Sequence, residues 1–165
     1  YVMKDNENLI EEMEDEDEVE DDEELSRLIE QYHRDSDHYL KIFKQDLLES
    51  GLTDKTIRTH INNMYFYLND YLADYAGVSM PKGPEYIDSF IRHFFIRKCM
   101  WATKTSINEN CSTFKKFYKS MYQHGLVERL DYECVVEIIK ENKKEWLEQL
   151  KRFDEGALYD DYLPW

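Results

Sequence analysis

The sequence predicts an all-α fold of four to five helices. Three observations carry this. Glycine and proline number only five and three in 165 residues, too few to punctuate a many-stranded sheet. Apolar residues make up 42% of the chain, enough for a core, and they recur at three- and four-residue spacing rather than in alternation. Helix-capping residues and glycines stand at the ends of those periodic stretches. With thirteen tyrosines, eight phenylalanines and three tryptophans, the core is expected to be strongly aromatic.

Glu11 to Glu24 is almost uninterrupted acid. Such a block repels itself and stays disordered or forms a solvated helix. Helix is expected from near Glu23, because acids favour a helix N-terminus and Leu25, Leu28 and Ile29 follow at helical spacing. Ser36 to Glu49 reads as the next helix or a continuation, with Tyr39, Leu40, Phe43 and Leu47 as its stripe. Ser50-Gly51 ends it, since glycine accepts the left-handed conformation at a helix C-terminus. Thr53 is a good N-cap for a helix to about Tyr75, its apolar face being Ile57, Ile61, Met64, Leu68, Tyr71 and Leu72.

Gly77 to Pro84 reads as a loop. Pro84 is suited to open a third helix, carrying Tyr86, Ile87, Phe90, Ile91, Phe94 and Phe95 and reaching about Cys99. Ser106 and Glu109 have capping-box spacing for a fourth helix through Gln123, with Ile107, Cys111, Phe114, Tyr118 and Met121 inward. Gly125 stops it, and Leu126 can fold back on the last turn. The fifth helix is expected over about Asp131 to Phe153, with Val135, Ile138, Ile139, Trp146 and Leu150 as its apolar set.

Charge divides the chain into three. Residues 1–25 hold fourteen acidic side chains and one lysine, a net of −13. Residues 154–165 hold four acids and no base, while residues 26–153 hold 20 bases and 18 acids, a net of +2. The expected organisation is an acidic tail (1–25), a helical domain (26–153) and an acidic, aromatic C-terminal tail (154–165). The total of −15 therefore resides at the ends, and a nearly neutral body is not excluded from nucleic acid. No apolar run approaches the roughly 20 residues that span a bilayer, and no basic-then-apolar leader opens the sequence. Cys99, Cys111 and Cys134 are odd in number and sit in helical patterns, which fits reduced thiols and a cytoplasmic location.

Two segments carry a resemblance. They are YLKIFKQDLLESGLTDKTIRTHINNMYFYLNDYL and EYIDSFIRHFFIRKCMWATKTSINENCSTFKKFYKSMYQHGLVE. The first has a helix ending at a glycine turn, then a Thr-x-x-Thr start (Thr53, Thr56) to a long helix with aromatics near its end. The second has a helix, a Ser/Thr-rich turn, then Thr105-x-Ile107-Asn108, Phe114-x-x-Phe117-Tyr118 and Gly125-Leu126. Together, across Leu40 to Glu133, they resemble the SAM-like core-binding domain of phage integrases and other tyrosine recombinases. The resemblance implies a DNA-clamping domain, an orthogonal bundle of four to five helices with an extra helix at its C-terminal end. The catalytic half of that family needs two arginines, a lysine, histidines and a nucleophilic tyrosine in a further domain. Only about 30 residues follow the resemblance, and no His-x-x-Arg occurs anywhere. Tyr159 and Tyr162 lie among acids that repel phosphate. A non-catalytic module without cofactor is expected.

Phosphate contact needs cations, hydroxyls and amides on one surface. The resemblance points to two places. One is the start of the second helix, with Thr53, Lys55, Thr56 and Arg58. The other is the turn and outer face of the fourth helix, with Lys98, Thr103, Lys104, Thr105, Asn108, Ser112, Lys115 and Lys119. Asn108, Ser112, Lys115 and Lys119 fall within about 60° of one another at 100° per residue. Arginine is sparse there, so any contact with duplex DNA is expected to be weak and directed at the backbone, with the acidic N-terminus as a competitor for the same cations. The alternative is a protein-interaction module that kept the fold. Tyr159, Tyr162, Leu163 and Trp165 are then the docking residues, toward a DNA-processing protein or toward the chain's own domain. His33, Asp35, Asp37 and His38 resemble a metal-ligand string, but on a helix His33 and His38 point to different sides, and no metal site is expected.

Overall fold

The computed structural model describes the backbone of residues 3–156 and the side chains of residues 18–156. Every regular element among them is helical, and the fold is an all-α bundle of five helices. Helix α1 is Met3–Glu49. Helix α2 begins as Asp54–Tyr65 and continues without a break as a wider π-helix, Phe66–Ala76. A 3₁₀ segment, Met80–Tyr86, leads into α3, which joins Ile87–Ser89, Phe90–Phe95 and Ile96–Lys98. Helix α4 is Lys104–Gln123 and α5 is Arg129–Asp154.

The predicted turns hold at Gly51, Gly77 and Gly125, all left-handed. Thr53 caps α2, its hydroxyl accepting from the Thr56 amide. Three boundaries differ from the sequence reading. First, α1 begins at Met3, not near Glu23, because no glycine or proline interrupts residues 3–49. Ion pairs one turn apart, Glu23–Arg27 at 3.6 Å and Glu30–Arg34 at 4.0 Å, fall on its exposed face. Second, the expected loop to Pro84 is largely 3₁₀ helix, and α3 opens at Ile87. Pro81 lies in the first turn, where a fixed φ and a missing N–H cost nothing. Third, the capping box of α4 is Thr103 with Ser106, not Ser106 with Glu109. The Thr103 hydroxyl accepts from the Ser106 amide at 3.1 Å, and the Ser106 hydroxyl accepts from the Thr103 amide at 2.8 Å. Glu128 and Asp131 make the same reciprocal pair at the start of α5.

The core is aromatic and continuous across all five helices. Phe43, Tyr67, Phe90, Phe95, Phe114, Phe117, Tyr118 and Trp146 are fully buried. Tyr67 stands at the centre, its ring 4.6 Å from Phe114 and 4.9 Å from Phe90, edge to face. Such contacts add to the area buried. In the π-helical stretch the wider turn brings residues four apart closer to one line, and Tyr67, Tyr71 and Tyr75 stack at 5.7 Å intervals.

Two buried tyrosine hydroxyls hold the 3₁₀ segment. Tyr67 donates to the Gly83 carbonyl at 2.5 Å and Tyr118 to the Met80 carbonyl at 2.9 Å. Gly83 is buried, and a Cβ there would lie 1.9 Å from the Tyr118 hydroxyl oxygen and 3.0 Å from Leu72. Gly83→Ala is therefore expected to displace Tyr118 and cost about 1–3 kcal/mol of overpacking. Gly51→Ala has open space around it and meets only the left-handed backbone penalty, about 1–2 kcal/mol. Urea unfolding of the two variants beside the parent tests this. Equal midpoints for Gly83→Ala and the parent would show that the tyrosines do not pin this segment.

Candidate functional site

The first predicted cluster opens α2. Thr53 spends its hydroxyl on the cap, while Lys55 and Arg58 are exposed and Thr56 half-buried. His60 and Asn63, further along α2, face α4, where the Thr113 hydroxyl lies 2.7 Å from His60 Nδ1 and 3.3 Å from Asn63 Nδ2. At 100° per residue Arg58 lies about 200° round the helix from His60. Arg58 is thus directed away from α4 and its lysines. Burial, with the Lys116 charge added, holds the buried His60 below the ordinary histidine value.

The second cluster is divided by packing. Thr103, Lys104 and Thr105 are exposed, although the Thr103 hydroxyl is engaged in the capping box. Asn108 and Ser112 are half-buried, and Asn108 Oδ1 is enclosed without a partner. The expected stripe reaches solvent only at Lys115 and Lys119, because α5 packs along α4. The exposed Lys116, which the sequence reading passed over, joins them. The three lie within an arc of about 100°, and none has a carboxylate in salt-bridge reach among the described residues. Lys116 and Lys119 border a hollow of about 170 Å³ lined also by Phe43, Asp46 and Ser50.

Lys98 does not belong with them. Its ammonium lies 4.3 Å from the Tyr75 ring centre and 5.3 Å from that of Phe94, a cation–π arrangement, and donates to the Tyr75 hydroxyl at 3.3 Å. It edges a surface of exposed aromatics. Trp101 is 58% exposed and Met100 99% exposed, with Trp101 edge-on to Phe66 at 5.6 Å. Lys104 faces elsewhere, into a groove of about 610 Å³ between the start of α4 and the end of α5. Leu147 and Leu150 line it, bordered by Lys144 and Lys151 and by Glu148, Asp154 and Glu155.

Among the described side chains, helix α1 meets the body through its C-terminal half, where Ser36, Leu40, Phe43 and Leu47 are buried, while residues 18–28 are exposed. In a continuous helix the acidic block lies along the axis beyond these anchors. For it to cover α4 of its own molecule, α1 would have to break.

Polar clamps invisible to spacing arguments fix the helices. His33 on α1 sets Nε2 2.6 Å from Asp74 Oδ1 and Nδ1 2.7 Å from Asn69 Oδ1. Arg92 on α3 donates to Asp88 at 2.6 Å and to Glu145 of α5 at 2.9 Å, and Trp146 Nε1 donates to the same Asp88 carboxylate at 2.8 Å. Asp46 accepts from Ser120 and lies 3.0 Å from His124 Nε2, tying α1 to the end of α4. A polar residue one turn outside a core stripe is the only trace these leave in sequence.

His33 faces Asn69 and Asp74 while His38 is exposed beside Tyr39, so the two rings do not converge. No group of three or more ligating side chains assembles among the described residues. Cys99 and Cys111 are buried free thiols, pushed up to about 11 by burial. No described helix is long and apolar enough to cross a membrane. Tyr159, Tyr162, Leu163 and Trp165 lie outside the described residues. No family model, curated protein or solved structure matches the chain.

The His33 clamp sets a pH dependence. Burial lowers its pKa, but hydrogen bonds to Asp74 and Asn69 and the charges of Asp74 and Asp37 outweigh it, and the net shift is upward. A raised folded value means that the stabilisation is complete below the unfolded value, about 6.5. It is lost as pH rises through the folded value. Asp74→Asn should therefore destabilise most below pH 6.5, with the gap to the parent narrowing above it. Urea midpoints across pH 5 to 9, with an NMR titration of His33, measure this. A gap independent of pH would mean that the imidazolium plays no part.

Proposed function

We propose that this chain is a non-catalytic binding module that contacts duplex DNA weakly, through phosphates, by the outer face of α4. One observation carries the reading. Lys115, Lys116 and Lys119 stand side by side and exposed, with no carboxylate in salt-bridge reach among the described residues. Unpaired ammonium groups on a rigid helix release counterions when they meet phosphate. The likeness of Leu40 to Glu133 to a recombinase core-binding domain supports the same face, since the fourth helix of that domain lies against DNA. No arginine stands on the stripe, so the contact carries little base specificity.

A second reading, a protein-interaction module, is favoured by the exposed Trp101 and Met100 and by the groove between α4 and α5. Exposed aromatics and apolar clefts are the ordinary anchors of protein partners.

The two separate in one experiment. Three phosphate contacts imply a salt slope near −2.7, or roughly 40-fold weaker binding between 50 and 200 mM salt. Lys115→Glu, Lys116→Glu and Lys119→Glu together should abolish duplex binding measured by fluorescence anisotropy, at unchanged helicity. Deleting residues 1–25 should strengthen binding where the acidic arm of a neighbouring molecule competes for these lysines. Salt-independent binding, or binding indifferent to the triple reversal, would overturn the DNA reading and leave the second.

A further inference from the structure

The groove between the start of α4 and the end of α5 encloses about 610 Å³ over an apolar floor. Its floor is Leu147 and Leu150, and Lys104, Lys144 and Lys151 border it. Helix α5 leads directly to it, since Asp154 and Glu155 form its far rim. Gly156 follows in the left-handed conformation, φ +74°. A glycine in this state at a helix end commonly turns the next residue back toward the last helical turn.

Nine residues follow Gly156, Ala-Leu-Tyr-Asp-Asp-Tyr-Leu-Pro-Trp. We propose that this segment, 157–165, docks in the groove of its own chain. Three features choose it as the occupant. Reach is the first: from Lys144 to Glu155 α5 advances about 17 Å, and nine residues span up to about 30 Å. Chemistry is the second, for Tyr159, Tyr162, Leu163 and Trp165 supply large rings and an aliphatic side chain to an apolar floor. Charge is the third. Ala157 and Leu158, next in sequence to the Asp154–Glu155 rim, are uncharged, and Asp160 and Asp161 then supply charge opposite to that of the three lysines. The inference does not depend on DNA binding. It places two carboxylates beside Lys104, at the end of α4 opposite to Lys119, where they would compete with phosphate for that cation.

The test uses the full chain. Trp165→Ser with Tyr162→Ser should shift the backbone amide resonances of Thr103, Lys104 and Leu147 to Lys151, as well as those of the segment itself. Leu147→Glu, at a half-buried position, should reciprocally shift residues 159–165 without loss of helicity. Both sets of shifts should be unchanged on tenfold dilution. Changes confined to 157–165, or to the groove, would overturn the proposal. Shifts that vanish on dilution would show docking on a second copy and overturn the intramolecular form.

Discussion

The structure depends on how buried tyrosines dispose of their hydroxyls. An aromatic core is favourable for its area, but each enclosed hydroxyl costs free energy until it finds an acceptor. Tyr67 and Tyr118 find theirs in the carbonyls of Gly83 and Met80. Burial holds both phenols far from ionisation, so they remain donors. The 3₁₀ segment is thereby drawn against α2 and α4, and Gly83 must stay bare for the Tyr118 ring to fit. What would otherwise be a loop becomes part of the core.

The remaining helices are positioned by ionic and amide clamps at the edge of that core. Arg92 and Trp146 both depend on Asp88, so α3 and α5 share one carboxylate. Burial opposes the charge on Arg92, but its pKa is raised by the bond to Glu145 first of all, then by Asp88. This clamp sets the course of α5 past α4, and hence the groove at their ends. It also decides which residues of α4 are open to solvent, leaving Lys115, Lys116 and Lys119 outside and Asn108 half enclosed.

Charge is segregated along the chain and in space. The described acids of α1 at residues 18–24 are exposed ahead of its buried residues, and the lysines of α4 lie on the body. A surface ion pair is worth little in water, so the separation adds little to stability. Lys115, Lys116 and Lys119 thereby stay exposed on the body, with no carboxylate in salt-bridge reach among the described residues.

Local physics was legible in the sequence. Helical periodicity, scarce glycine and the caps at Thr53, Gly51 and Gly125 determined an all-α chain and the inward faces of its helices, because those signals act within one or two turns. The apolar residues predicted inward on α2, α4 and α5 are all buried or half-buried. The site was only partly legible. Spacing alone grouped Lys98 with Lys104 and made Asn108 and Ser112 equal to Lys115, because periodicity places residues on a face without saying what covers it. Only the tertiary structure decided that Lys98 lies on the Tyr75 and Phe94 rings, that Lys116 joins the exposed stripe, and that Lys104 borders a groove. Those outcomes depend on contacts between helices far apart in sequence, such as Arg92 with Glu145 and His60 with Thr113, which no local pattern encodes.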